Sequence, residues 1–436
     1  MANTIDLYGD EGTAQMLLDR TIESFEDNVL STIGAHAFAK CNHLSRLQLE
    51  SVTNIGYKAF MGCTSLSDIS VPALQTLNAQ AFTNCTKLSS VRLPNVTSIA
   101  MSAFSGCEAL AYIDGPEVTH IGASAFAECK SLVSYSFPKV TRLEMGAFKS
   151  CWALPFASFS LISEITIEAF SNCGSISYAS FPNVKTIGNY AFRECRNLSS
   201  AHFPLVTSIG TSVFYGCARL SEVYFPVLKI INPGDFMLCG ALTEVAFPLV
   251  TSIGNAAFSS CASLVSISFP EAISLGYYAF ASCTQLSEVY FPKTTTVSSG
   301  VFVGCSNLET AEFPELSSLG AIIFSGCLKL KTLSLPKVQT INQSAFYSCT
   351  SLESINLPLL SFLGSTAFMG CTNLKTVVLG NQNRVCSIQW NIEMVFGRAS
   401  SATVYVPDTI LESYRTNAAW STFSSRIKGI SELPEE

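Results

Sequence analysis

Seventeen cysteines and four histidines are the residues of this chain best suited to chemistry, as metal ligands, disulfide partners or nucleophiles. Zinc requires thiolates or imidazoles clustered at intervals such as C-x-x-C, and no two cysteines here are closer than fifteen residues. Sixteen of them, from Cys41 to Cys371, recur instead at an unbroken spacing of 22, with Cys386 the exception. Thiols one repeat apart are close enough to be bridged. Disulfide frameworks, however, belong to small secreted domains that lack a core, and this chain has 436 residues of which 48% are hydrophobic. The sixteen are therefore expected to be buried, unpaired, small apolar side chains. They should resist thiol reagents until the protein unfolds.

The histidines, His36, His43, His120 and His202, belong to no H-E-x-x-H pattern. His36 and His120 fall at variable, solvent-facing phases of the repeat. There is no nucleophile elbow, phosphate loop or dinucleotide fingerprint, and no serine is paired in sequence with a plausible base. The recurrent I-G dipeptide reads as a turn glycine. The chain is thus expected not to be an enzyme and to use no cofactor or metal. A formal charge of −7 without any basic block excludes a nucleic-acid partner. No window approaches the roughly 18–20 apolar residues of a membrane span, so no membrane insertion is expected. The first residues show neither the basic nor the apolar region of an export signal.

What positions these residues is the repeat itself. Aligned on cysteine, the unit reads C-x-x-L-x-x-V-x-F-P-x-V-x-x-I-G-x-x-A-F-x-x, nearly whole after Cys239 in Leu242, Val245, Phe247, Pro248, Val250, Ile253, Gly254, Ala257 and Phe258. The phenylalanine three residues before each of these cysteines never varies, from Phe38 to Phe368, and thirteen of seventeen prolines share one phase. In L-x-x-V-x-F the Val and Phe are two apart and point to one face of a strand. The next Pro lacks an N–H and ends that strand. V-x-x-I-G makes a shorter second extended piece. A-F-x-x-C is too short for an independent helix and reads as one helical or 3₁₀ turn folding Phe and Cys inward. A single unit cannot bury its apolar side, so stacked neighbours must.

The Pro, I-G, A-F and Cys phases, recurring in register over about residues 22–380, resemble the BspA-like, or Treponema-type, leucine-rich repeat family. The resemblance implies an α/β solenoid: a right-handed leucine-rich-repeat-type superhelix with one long parallel sheet, short helical or 3₁₀ turns and 22-residue coils. Family members more often use a coil one residue longer. The resemblance also implies a bacterial protein of the cell surface or secreted, in a family with members linked to adhesion.

Three segments are expected. Residues 1–29 form an N-terminal capping segment, with a short helix starting across Gly12 to Asp19 and Ile22, Phe25, Leu30 and Ile33 at apolar phases. Residues 30–380 make about sixteen coils. Residues 381–436 form a C-terminal cap with the strand Thr403, Val404, Tyr405, Val406 and a helix capped by Asp408 or Thr409, where Thr409 and Glu412 have capping-box spacing. Ile410, Leu411, Tyr414, Trp420 and Phe423 would seal the last coil.

Because the repeating residues are committed to the interior, recognition falls to the strand positions left free, five and seven after each cysteine. On the central coils these carry Tyr178, His202, Glu222, Tyr224, Glu244, Glu288, Tyr290 and Glu312 among serines. Tyrosine is enriched in interface hot spots, and a Tyr/Glu/Ser face suits a protein surface or a glycan. The expectation is a monomeric, non-catalytic recognition or adhesion protein. The alternative is a structural or spacer component of a cell-surface or phage-tail-like assembly, joined end to end.

Overall fold

The structure, a computed structural model, describes the backbone of residues 4–5 and all of residues 22–381, 383–399 and 401–434. The expected helix start at Gly12 to Asp19 lies outside the described residues. The chain is a parallel β-solenoid of about eighteen coils of roughly 22 residues, with little helix. It divides into two compact units, Met1–Val223 and Tyr224–Glu436.

In the first unit each coil contributes two strands, the second the shorter. A three-residue strand starts five residues after the cysteine, as in Arg46–Gln48, Asp68–Ser70 and Ser90–Arg92, and a two-residue strand follows, as in Asn54–Ile55 and Thr76–Leu77. Strands pair in parallel with counterparts one period on, as Arg46 does with Asp68 and Asn54 with Thr76. Identical phases therefore stack on each other. The middle residue of the long strand faces inward, and Leu47, Val91 and Ile113 are buried while their neighbours are not. Phe25 precedes the first full coil and meets Phe38 at 4.9 Å between ring centroids.

The A-F-x-x-C corner keeps the i→i−3 bonds of the expected 3₁₀ turn but is not helical. Ala37, Ala39 and Cys41 donate to Gly34, His36 and Phe38 at 3.4, 3.0 and 3.1 Å. The alternate N–H groups, of His36, Phe38 and Lys40, donate to Tyr57, Ala59 and Met61 of the next coil at 2.9, 2.7 and 2.7 Å. His36 and Lys40 reach this alternation by adopting φ of 61° and 62°. The corner is thus a chain of β-turns with a left-handed residue at every fourth position. A helix would aim every N–H along its own axis and leave the adjacent coil unbonded.

The I-G glycines are not turn glycines either. Gly56 and Gly122 have no positive φ; a Cβ on Gly56 would meet Ala35 N and Gly34 C at 2.8 Å. They are small because the preceding coil's backbone passes against them. Where this phase carries a side chain, it bonds to that backbone instead, as Asn78 Nδ2 does to Ile55 O at 2.8 Å.

The invariant phenylalanines form a continuous stack within each unit. From Phe38 to Phe214 successive centroids are 5.1–5.7 Å apart with rings nearly parallel. In the second unit the stack runs from Phe236 to Phe368 and then on through Phe396 and Phe423, at 5.4 and 5.2 Å. The two added rungs show that the C-terminal segment continues the coil with longer, irregular turns. Ser387–Ile388 pairs with Phe362–Leu363, and Thr403–Val406 with Thr376–Leu379. Ile427–Gly429 then pairs with Thr403–Val406.

The C-terminal helix does not begin as the capping-box spacing suggested. Asp408–Ile410 is a 3₁₀ turn leading into Leu411–Thr416, and neither has a side-chain cap. Asp408 is drawn away by Ser431, whose N–H and hydroxyl donate to its carboxylate at 3.2 and 2.6 Å. These bonds hold the Asp408 carboxyl below its ordinary range. Tyr414 and Trp420 are fully buried; Tyr414 Oη accepts from Cys386 N at 2.9 Å, and Trp420 Nε1 donates to Cys386 O at 2.8 Å.

The long strands also lapse between Asp68–Ser70 and Ser90–Arg92, but at one junction in the first unit both stacks part together. Both strand stacks lapse between the coil of Cys129 and that of Cys151: Ser134–Ser136 ends one run and Arg142–Leu143 ends the other. Tyr135 occupies the inward phase that other coils give to Val, Ile, Leu or Ala, and its hydroxyl takes over both main-chain groups of Ser158, accepting from N at 2.9 Å and donating to O at 3.3 Å. Ala157, Ala179 and Ala201 follow at the same phase. The corner holds across the junction, with Phe148 donating to Ala169 at 2.9 Å and Ser150 to Ser171 at 2.7 Å. The gap between the short strands is a groove of about 850 Å³ lined by Arg142, Glu144, Glu164 and Thr166.

Candidate recognition surface

The long strands expose the phases five and seven after the cysteine, and all eight residues expected on this face are exposed. In the first unit Tyr178 stands 55% exposed on Tyr178–Ser180, beside Phe156 of the preceding strand. His202 lies next to Ser180 on the following strand, and Glu222 is exposed at the phase of Tyr178. In the second unit Glu288–Tyr290 pairs with Thr310–Glu312, which sets Tyr290 directly opposite Glu312 and Glu288 opposite Thr310. Glu244 is opposite Ser266. Tyr224 and Tyr290 are 48% and 60% exposed and stand three coils apart, about 14 Å at strand spacing. Tyr290 and Glu312 are thus brought together, whereas Tyr224 is not part of that pair.

Counting the same phases back toward the N-terminus finds residues that attention to the central coils overlooked. Arg46 pairs with Asp68 at 3.4 Å and Arg92 with Asp114 at 3.7 Å, each across adjacent strands. Ser70, Ser90, Arg92 and Asp114, with Pro72 and Pro94, line a recess of about 390 Å³. The signal was available in the phase alone: every fifth and seventh residue faces out, whatever its type.

The thiols sit on the other side of the wall. All seventeen cysteines are buried and unpaired, and the Sγ–H groups of the rungs from Cys63 to Cys217 and from Cys261 to Cys371 donate to phenylalanine carbonyls, Cys63 to Phe38 O at 3.0 Å and Cys261 to Phe236 O at 3.1 Å. Burial pushes Cys107, Cys261 and Cys305 up to about 12. Among the described residues no group of His, Cys, Asp or Glu is arranged to hold a metal, and no helix is long and apolar enough to cross a membrane.

One side-chain chain has the order of a hydrolytic triad. Ser98 Oγ is 3.1 Å from His120 Nδ1, and His120 Nε2 is 3.0 Å from Glu144 Oε1. His120 is therefore half-buried in a network, not simply solvent-facing. A triad needs free N–H donors beside the serine to hold an oxyanion. Here Ser98–Ile99 is instead a strand paired on both sides, with Thr76–Leu77 and His120–Ile121. Glu144 is also shared with Arg142 at 3.2 Å and Ala123 N–H at 3.2 Å. The arrangement ties three coils together.

The pattern of the family described as BspA type leucine rich repeat region (6 copies) matches residues 31–155, 163–287, 207–331 and 273–392. The chain belongs to the BspA-type leucine-rich repeat family. The family and its solenoid fold are generally non-enzymatic, and leucine-rich repeat proteins generally bind protein partners. Among solved structures, this BspA-type chain is similar to a leucine-rich repeat protein from Bacteroides ovatus, at 26% identity and TM-score 0.55, over 78% of this chain and 92% of that one. It also matches a leucine rich cell surface protein from Faecalibacterium prausnitzii, at 23% identity and TM-score 0.39, over 70% and 83% of the two chains. A leucine-rich repeat protein of T. pallidum matches at 24% identity and TM-score 0.27, over 46% and 75%. Among curated proteins none matches.

Proposed function

We propose that this is a non-catalytic recognition or adhesion protein, working as a monomer outside the cell or on its surface, that binds a protein or glycan partner on the long-strand face. The observation that carries the reading is the exposure of Tyr178, Tyr224 and Tyr290 at roughly half or more on strands whose backbone is fixed by the stack. Rigid aromatic side chains give contact area at small entropic cost. His202 and Glu222 accompany Tyr178 in the first unit; Glu244, Glu288 and Glu312 accompany Tyr224 and Tyr290 in the second. The partner is a protein or glycan with donors for these carboxylates, and the family's surface and secreted members support the location.

The test is surface plasmon resonance against immobilised host extracellular-matrix proteins and mucin, with the Tyr224→Ala/Tyr290→Ala double variant alongside. Saturable binding by the native chain, weakened at least about tenfold in the variant, is the expected result. Equal binding by both proteins would remove the long-strand face as the site.

A further inference from the structure

A second concavity lies in the first unit on the corner side, away from the long-strand face. It is made by the residues just before and just after three successive cysteines: Ser150 and Trp152, Asn172 and Gly174, Glu194 and Arg196. The repeat leaves both phases free, and here they depart together from the pattern. Trp152 is the chain's one tryptophan on this track and is 54% exposed. In the next coil Gly174 occupies the same phase, and a Cβ placed there would meet nothing within 4 Å. The middle rung is thus emptied, leaving a notch of about 470 Å³.

The walls of the notch define what it accepts. Lys130 Nζ lies 5.2 Å from the Trp152 ring centroid, on the side of the preceding coil. Trp152 and Gly174 line the notch together. On the far side Arg196 Nε is 2.9 Å from Glu194 Oε2, so its charge is answered within the protein. The two walls are two coils apart, about 10 Å at strand spacing. That admits one ring in contact with both at about 4.0–4.5 Å. Ser150 Oγ, on the rung of Trp152, and the Asn172 side-chain amide, on the middle rung, have no protein partner among the described residues, and each can donate and accept.

We infer that this notch binds a neutral pyranose ring of a glycan, with an apolar sugar face on Trp152 and hydroxyls on Ser150, Asn172, Glu194 and Arg196. The ligand must be flat enough for a one-rung gap and apolar on one face. It must also carry many hydroxyls at its edge. An anion would find the arginine already paired. A purely apolar ligand would strand the amide and hydroxyl. The site is separate from the long-strand face, so it stands or falls independently of the proposal for that face.

The experiment uses the whole chain on an array of neutral hexose and N-acetylhexosamine oligosaccharides, followed by titration of the best binder, read by tryptophan fluorescence. Trp152→Ala and Gly174→Leu, which fills the notch, are compared with Trp390→Phe, an exposed tryptophan elsewhere. The expected result is at least one neutral ligand with a Kd of about 0.1–10 mM, weakened at least tenfold by each notch variant and unchanged by Trp390→Phe and by Tyr224→Ala/Tyr290→Ala. Thermal unfolding shows that the exposed-site variants remain folded. The inference is overturned if no neutral sugar binds, if only acidic sugars or nucleotides bind, or if either notch variant retains full affinity.

Discussion

Within a single coil, the corner and the long-strand face follow opposite rules. The corner repeats its phenylalanine and cysteine without exception and bonds alternate N–H groups to the next coil. The strand face holds only its inward phase and varies the two outward ones from serine to tyrosine to glutamate. The junction at Tyr135 separates the two contributions. There both strand stacks part while the corner bonds and the Phe148–Phe170 contact, 5.5 Å between centroids, persist. Coil-to-coil cohesion therefore resides mainly in the corner, and the strands are free to vary or even to open.

The largest expected contrast is with pH. A buried thiol raised from an ordinary 9.0 to about 12 favours its neutral form in the folded state. Its contribution is complete below pH 9 and is lost as pH rises from there toward 12, by about 1.4 kcal/mol per unit for each thiol. Cys107, Cys261 and Cys305 alone account for about 4 kcal/mol at one unit above 9. Denaturant titrations at pH 8, 9 and 10 should show a steep alkaline loss; a flat profile would mean that the ladder is open to solvent.

Next in size is the stack itself. Phe258→Ala removes a fully buried ring between Phe236 and Phe280 and should cost about 3–5 kcal/mol in urea unfolding. A loss below 1 kcal/mol would return cohesion to the strands. Tyr135→Phe keeps the wedge but frees both main-chain groups of Ser158, for about 1–2 kcal/mol, and hydrogen exchange at Ser158 should accelerate. A smaller change of opposite sign is expected at Ile322, a β-branched residue held at φ 50°. Ile322→Gly should stabilise by about 1 kcal/mol, measured as a raised Tm. Smallest of all, Tyr290→Ala on the strand face should shift stability by less than about 0.5 kcal/mol.

Much of this division was legible before any coordinates. The 22-residue period fixed the inward phases, the buried cysteines and the exposure of all eight face residues, because side-chain direction in a stacked strand follows from counting. Three things were not. The short A-F-x-x-C segment suggests one helical or 3₁₀ turn, because the ladder bonds to the next coil that hold its left-handed residues are invisible in one repeat. The I-G dipeptide suggests a turn, whereas the constraint on its glycine comes from a backbone 22 residues earlier. The Phe396 and Phe423 rungs escaped because 28 and 27 residues separate them from their predecessors, so contact continued where period did not. The Trp152–Gly174 notch is likewise a property of three coils at once, and the Ser98–His120–Glu144 chain joins residues 22 and 24 apart.

The central claim is that the repeating residues hold the solenoid while the varying ones recognise. It is tested most directly by placing Tyr290→Ala, on the outward strand face, and Phe280→Ala, in the buried stack of the preceding coil, in the same two assays: Tm, and binding to the immobilised matrix and mucin panel. The account predicts a crossed outcome, with Tyr290→Ala losing affinity at unchanged Tm and Phe280→Ala losing Tm while the fraction that stays folded binds as before. If Tyr290→Ala lowers Tm as much as Phe280→Ala, or leaves binding intact, the division between holding and recognising positions does not exist.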